Sequence, residues 1–147
     1  MEAMVGELGG KSDDQPVDVW LGDSGASHHI KSSSAVMIEV TKCPPGTKIR
    51  QVHGQEWGTV LLQVDGEEGK RVIRLEQTLI IPNISVNIFF LQRVITKGYL
   101  LVYGEVANKC LLKKKADNKD LVQVATLSIK NGRSTLDCKL VVFLQGE

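Results

Sequence analysis

Apolar and polar residues alternate with a period of two along most of this chain, a pattern that predicts β-structure. Val17, Val19 and Leu21 alternate with Asp18 and Trp20, giving a half-buried strand that runs into Asp23-Ser24-Gly25. A second short strand is expected over Val36–Val40, followed by a turn at Cys43-Pro44-Pro45-Gly46. Ile49–His53 and Thr59–Val64 read as strands flanking Gly54 and Gly58. Asp65-Gly66 with Gly69 marks a hairpin turn answered by Arg71–Leu75, and Leu79-Ile80-Ile81 forms a short strand stopped by Pro82. The period then changes. Ile88, Leu91, Val94 and Ile95 share one side of a helix expected over Ile88–Lys97, with Gly98 as its stop. Strands resume at Tyr99–Tyr103 and Leu121–Ala125, and Asn131-Gly132 joins Ser128–Lys130 to Thr135–Asp137 as a hairpin. The fold class is therefore all-β with one short helix.

Composition narrows this picture. At 147 residues with 42% hydrophobic content and a net charge of +1, the chain suits one soluble globular domain that needs no disulfides. The near-neutral balance argues against bulk electrostatic binding to nucleic acid. Cys43, Cys110 and Cys138 are odd in number and far apart, which fits a reducing intracellular setting and excludes a disulfide framework or zinc knuckle. Cys110 and Cys138 read as small buried hydrophobes. No apolar run is long enough to span a bilayer. Residues 1–15 are polar and glycine-bearing and read as a flexible leader; 16–103 form the core domain, and 104–147 a β-rich extension packing on that core or at a subunit interface.

Candidate chemistry centres on Asp23-Ser24-Gly25-Ala26, where an apolar strand meets a polar stretch. An aspartic protease needs this arrangement: a carboxylate on a sharp loop, facing an identical carboxylate. Gly25 lets its own N–H approach that carboxylate, Ser24 supplies a hydroxyl to lock the loop, and small Ala26 leaves room beneath. Two carboxylates at contact distance share one proton, so one activates water while the other donates to the peptide carbonyl. By chance the tripeptide Asp-Ser/Thr-Gly occurs in about one chain of this length in fifteen, and most copies are plain turns. The strand in front and the helix downstream weigh against a plain turn. The chain has no second copy of the tripeptide, so activity requires a two-fold symmetric dimer.

Two separated motifs carry a family resemblance. Trp20-Leu21-Gly22-Asp23-Ser24-Gly25-Ala26-Ser27-His28-His29-Ile30 resembles the catalytic segment of copia-type retrotransposon proteases. Leu79-Ile80-Ile81-Pro82-Asn83-Ile84-Ser85-Val86-Asn87-Ile88, continuing through Leu91-Gln92 to Gly98-Tyr99, is similar to that family's second segment, and Asn131-Gly132 with Leu136-Asp137 resembles its tail. The resemblance implies a retropepsin-like acid protease fold closed as a homodimer over a peptide groove. It also implies cleavage of a polyprotein, a cytoplasmic setting or a virus-like particle, and no cofactor or metal. A flap is expected between the motifs at Gln51–Thr59, with Gly54, Gln55, Trp57 and Gly58 meeting substrate. The chain departs from the family in a shorter flap, in Gly22, and in the bulky Phe90.

Other residues draw plainer readings. His28, His29 and His53 lack carboxylate or cysteine partners at metal-binding spacing, and the match of His29 to the family's pattern implies a buried hydrogen-bonding residue. Lys113-Lys114-Lys115 with Lys119 reads as a solvated loop. Two further readings compete with the enzyme: a protease-fold module kept for dimerisation or peptide binding, and a nucleic-acid-binding β-barrel, which scattered aromatics disfavour.

Overall fold

A computed structural model describes residues 19–25, 27–44, 55–82 and 84–141. The strands among them are β1 (Trp20–Asp23), β2 (Ile30–Lys31), β3 (Ile38–Lys42), β4 (Glu56–Gly66), β5 (Gly69–Ile80) and β6 (Asn87–Phe90). After the helix α1 (Leu91–Thr96) come β7 (Leu100–Tyr103), β8 (Lys109–Lys115), β9 (Leu121–Lys130), β10 (Arg133–Leu136) and β11 (Lys139–Leu140). They form one sheet in the order β11-β4-β5-β2-β6-β1-β10-β9-β8-β7, with β3 paired to β4. Mainly β with one short helix is what the alternation implied. Among the described residues no helix is long and apolar enough to cross a membrane. The leader at 1–15, the strand at Ile49–His53, Val17, Ala26 and Gly54 lie outside the described residues.

The sheet curls back on itself. The β4–β5 hairpin tip reaches β9, where Glu67 N–H donates to the Gln123 carbonyl at 3.0 Å and Gln123 N–H to Glu67 Oε1 at 2.8 Å. Gly66 permits this approach, since a Cβ there would stand 2.8 Å from the Gln123 carbonyl oxygen. β11 closes against Leu62 and Gln63 of β4. Inside the curl, Trp20, Val60, Leu62, Val64, Leu112, Val124 and Leu127 pack as one core.

Lys113–Lys115, read as a loop, are the end of strand β8 paired to β9, and three further local readings change. First, the period of two holds in β1, but its inward set is Trp20, fully buried, and Gly22, while Val19 is 52% exposed. Hydrophobicity alone marks the wrong face there, because Trp20 carries far more apolar area than the valine. Second, the helix starts at Leu91, not Ile88. Asn87–Phe90 instead pair in parallel with Trp20–Asp23, and Asn87 and Phe89 are buried while Ile88 and Phe90 are half-buried. β-branched and aromatic residues with a strand neighbour take the extended form over a weak helical period. Third, Leu79-Ile80 is not a separate strand. It ends β5, which runs on through a bulge opposite Gly58 and Val60, with Gln77 at φ 54°. The Asp65–Gly69 and Asn131-Gly132 hairpins form where the turn residues place them.

Candidate functional site

Asp23 ends β1 between two strands. Its backbone stands in register with Phe90 on β6, and Leu21 is paired with Thr135 on β10. Successive side chains of a strand alternate in face, so the burial of Trp20 sends Asp23 the other way, half-exposed, with Ser24 and Gly25 exposed after it. Gly25 N–H donates to Asp23 Oδ1 at 2.7 Å. This is the carboxylate-to-loop bond that the sequence anticipates, and a Cβ at residue 25 would sit 3.4 Å from the same oxygen, an ordinary contact.

Buried polar side chains fix this loop. Phe90 N–H donates to His29 Nδ1 at 2.9 Å, so that nitrogen carries no proton. His29 is 2% exposed and stacks on Phe89 with ring centroids 5.5 Å apart. Burial, then the charges of Arg93, Lys97 and His28, push its pKa down to about 3. It is a neutral acceptor that clamps the Asp23 loop to the start of α1. On the other side Asn87 receives Ser32 N–H at its Oδ1 and donates from Nδ2 to the Val19 carbonyl, both at 3.2 Å. Asn87 thus ties β6 to both flanks of the Asp23 loop. From the sequence, Asn87 stands only within a family-like segment; its physical signal is a lone amide at the head of an otherwise apolar strand.

Gly22 also gains a physical account. A Cβ there would meet Leu127 Cδ2 at 3.1 Å and Leu91 Cδ1 at 3.4 Å. Side chains from β9 and α1 fill the space beneath Asp23, and a larger residue would displace them. Phe90 is half-buried, edge-on to His29 at 6.3 Å, with the Arg93 guanidinium 6.0 Å above its ring. Arg93 is itself held by the Glu76 carbonyl at 2.8 Å.

The expected flap region is placed in part. β3 and the start of β4 are the two arms of a hairpin, paired from Ile38–Thr59 to Lys42–Glu56 and continued by Cys43 N–H to the Gln55 carbonyl at 2.8 Å. Residues 45–54 between them lie outside the described residues. Gln55 and Trp57 sit on the second arm. Gln55 Nε2 donates to the Ile80 carbonyl at 2.5 Å, and the Trp57 ring lies 6.1 Å from His28. Gly58 is a buried strand residue opposite Thr78, not a hairpin tip. It is needed there because a Cβ would come within 3.0 Å of the Ile38 carbonyl oxygen on the facing arm. His28 lies close to the same arm; burial and Arg93 lower its pKa, and its Nδ1 is 3.0 Å from Ser27 Oγ. Among the described residues no group of histidine, cysteine, aspartate and glutamate is placed to hold a metal ion.

A family model described as Pol polyprotein, beta-barrel domain, matches residues 20–99, which span β1 through α1 and so contain the Asp23 loop and both of its braces. No curated protein and no solved structure matches the chain.

Proposed function

The chain belongs to the family of Pol polyprotein beta-barrel domains, of retroelement origin, and on that premise we propose that it is a copia-type aspartic endopeptidase acting as a homodimer. The observation that carries this reading is the Asp23 loop. A half-exposed carboxylate ends a strand whose other side is core, accepts the Gly25 amide, and is braced from behind by His29 and Asn87. One chain supplies one such carboxylate. A two-fold axis through the loops would bring a second Asp23 into contact, with the Ser24 hydroxyls bracing one loop against the other. The pair holds one proton in common. Its ionised member takes a proton from water, the water attacks the peptide carbonyl, and its protonated member donates to the carbonyl oxygen; the C–N bond of the resulting diol then breaks as the first aspartate gives its proton to the leaving amine and the second takes one back from the diol. The substrate lies extended between this floor and the β3–β4 hairpin, with Gln55 and Trp57 on the hairpin's second arm, and the natural substrate is the element's own polyprotein. The three free thiols support a reducing, cytoplasmic setting, within the cell or inside a virus-like particle.

A second reading, a non-catalytic module for dimerisation or peptide binding, is favoured by Phe90. Its ring fills the space beside the loop, next to His29 and Arg93. A peptidase assay on denatured protein substrates between about pH 4 and 7 separates the two. The native chain should cleave with a specific activity that rises with protein concentration, and Asp23→Asn should not cleave. Equal cleavage by both, or concentration-independent cleavage by a proven monomer, sinks the dyad. Absence of cleavage by a proven dimer leaves the module.

A further inference from the structure

A groove of about 1020 Å³ lies between β5, α1 and the β8–β9 pair. Asp23 does not line it. Every residue from Glu68 to Glu76 does. A strand that shows a face to a groove contributes alternate residues; an unbroken run means that β5 presents its edge. The pairing agrees. β4 occupies one side of β5, while β2 occupies the other only at Leu79 and Ile80. Two carbonyls at that end are already capped: Leu75 by the Thr78 hydroxyl at 2.7 Å, and Glu76 by Arg93 at 2.8 Å. From Lys70 to Arg74 no described strand pairs with the second edge.

The walls differ in character from the edge. Ile73, Phe89, Leu112 and Val124 give the groove an apolar floor, and Arg71, Arg93, Lys97 and Lys114 line its rim. Its acids are Glu68 and Glu76, and Glu76 is taken by Arg74 at 3.3 Å. Arg71 and Lys97 make no ion pair among the described residues. Basic residues on a solvent-facing edge simply discourage aggregation. Here the edge faces a walled slot with an apolar base, and protecting an edge requires no slot.

We propose that the β5 edge from Lys70 to Arg74 is a docking site for an extended acidic peptide. The peptide adds to the sheet as a further strand, with alternate apolar side chains on the floor and its carboxylates against the basic rim. Main-chain bonds supply the register, and the pockets supply selectivity. A peptide suits the slot better than a nucleic acid. The free groups are backbone donors and acceptors at strand spacing, Phe89 is buried, and the Tyr99 ring is covered by Lys114 Nζ at 4.9 Å, which leaves bases no open stacking platform. Asp23 does not line this site, although His29, which clamps the Asp23 loop, does, so the proposal stands whether or not the chain cleaves peptides.

The test uses the full chain and a fluorescent probe of alternating valine and glutamate, roughly the length of a common strand. Anisotropy should show binding that an alternating valine–lysine probe does not reproduce. Two N-methylated versions, one for each set of alternate residues, should differ by about tenfold or more in affinity, since only one set faces β5. Lys97→Glu with Lys114→Glu should weaken the probe by a similar factor, and Asp23→Asn should leave it unchanged. Hydrogen exchange at residues 70–74 should slow in the complex. Equal binding of both N-methylated probes reduces the effect to charge attraction and overturns strand addition, even if the double variant fails to fold. Displacement of the probe by an oligouridine RNA at lower concentration than by unlabelled probe overturns the peptide assignment, as does no binding at all.

Discussion

Around Asp23 the strands are short: β2 is two residues long, and β1 and β6 are four each. Away from it, β8 and β9 run for seven and ten residues and bury Cys110, Leu112, Val124, Ala125 and Leu127 between them and the core. The short strands have little ladder to hold them, and directional bonds from His29 and Asn87 compensate. The long strands rely on area. Apolar packing tolerates small shifts, whereas a side-chain hydrogen bond to a named backbone atom does not, so the bonded region is the one suited to aiming a carboxylate. The two regions meet where Leu127 fills the space that Gly22 leaves open.

The largest expected effect breaks that meeting point. Leu127→Ala removes a side chain that is 1% exposed and should lower the unfolding free energy by about 2–5 kcal/mol, read by urea denaturation. Asn87→Ala tests the bonded side. It strands the Ser32 N–H and removes one of two donors from the Val19 carbonyl, which keeps the residue 87 backbone N–H, and should remove about 1–3 kcal/mol in the same titration. If Asn87→Ala costs more than Leu127→Ala, the division between area and bonds is drawn in the wrong place. The third probe is pH, the gentlest over any single pH unit. His29 is held neutral, with its pKa near 3 in the fold against 6.5 when free. The unfolded chain therefore binds a proton that the folded chain refuses. The stability tied to His29 is whole above pH 6.5 and is lost progressively as pH falls from there towards 3. The slope is about 1.4 kcal/mol per pH unit at most. Urea midpoints at stepped pH should follow this slope in the native chain, and His29→Gln should flatten it. An unchanged slope in the variant would assign acid sensitivity to other groups.

Much of the fold was legible because strand period and turn chemistry are local. Asp65-Gly66, Gly69 and Asn131-Gly132 each dictate a turn without reference to distant residues, and the Asp23-Ser24-Gly25 loop carries its own bond. The face of β1 and the start of α1 were not legible, because both depend on partners far along the chain. Phe89 and Phe90 are extended because Gly22 and Asp23 lie beside them, which no window around residue 89 contains. The buried role of His29 was foreseen from its match to the family's pattern. The work of Asn87 was not, since an amide in an apolar run announces burial but not which backbone it will hold. Gly58 reads as a turn residue in sequence, and only the closeness of the Ile38 carbonyl shows why a strand keeps it. The β5 groove has no linear signature, because its floor and rim come from five separate segments.

β1 is flanked by β6 on one side and β10 on the other. A ribosome delivering this chain from its first residue therefore releases the aspartate long before its second neighbour. Until Arg133–Leu136 has emerged, the strand that bears Asp23 has one flank bare. The seat of the carboxylate is completed only once β10 has been made, so the order of translation itself withholds the finished site until then.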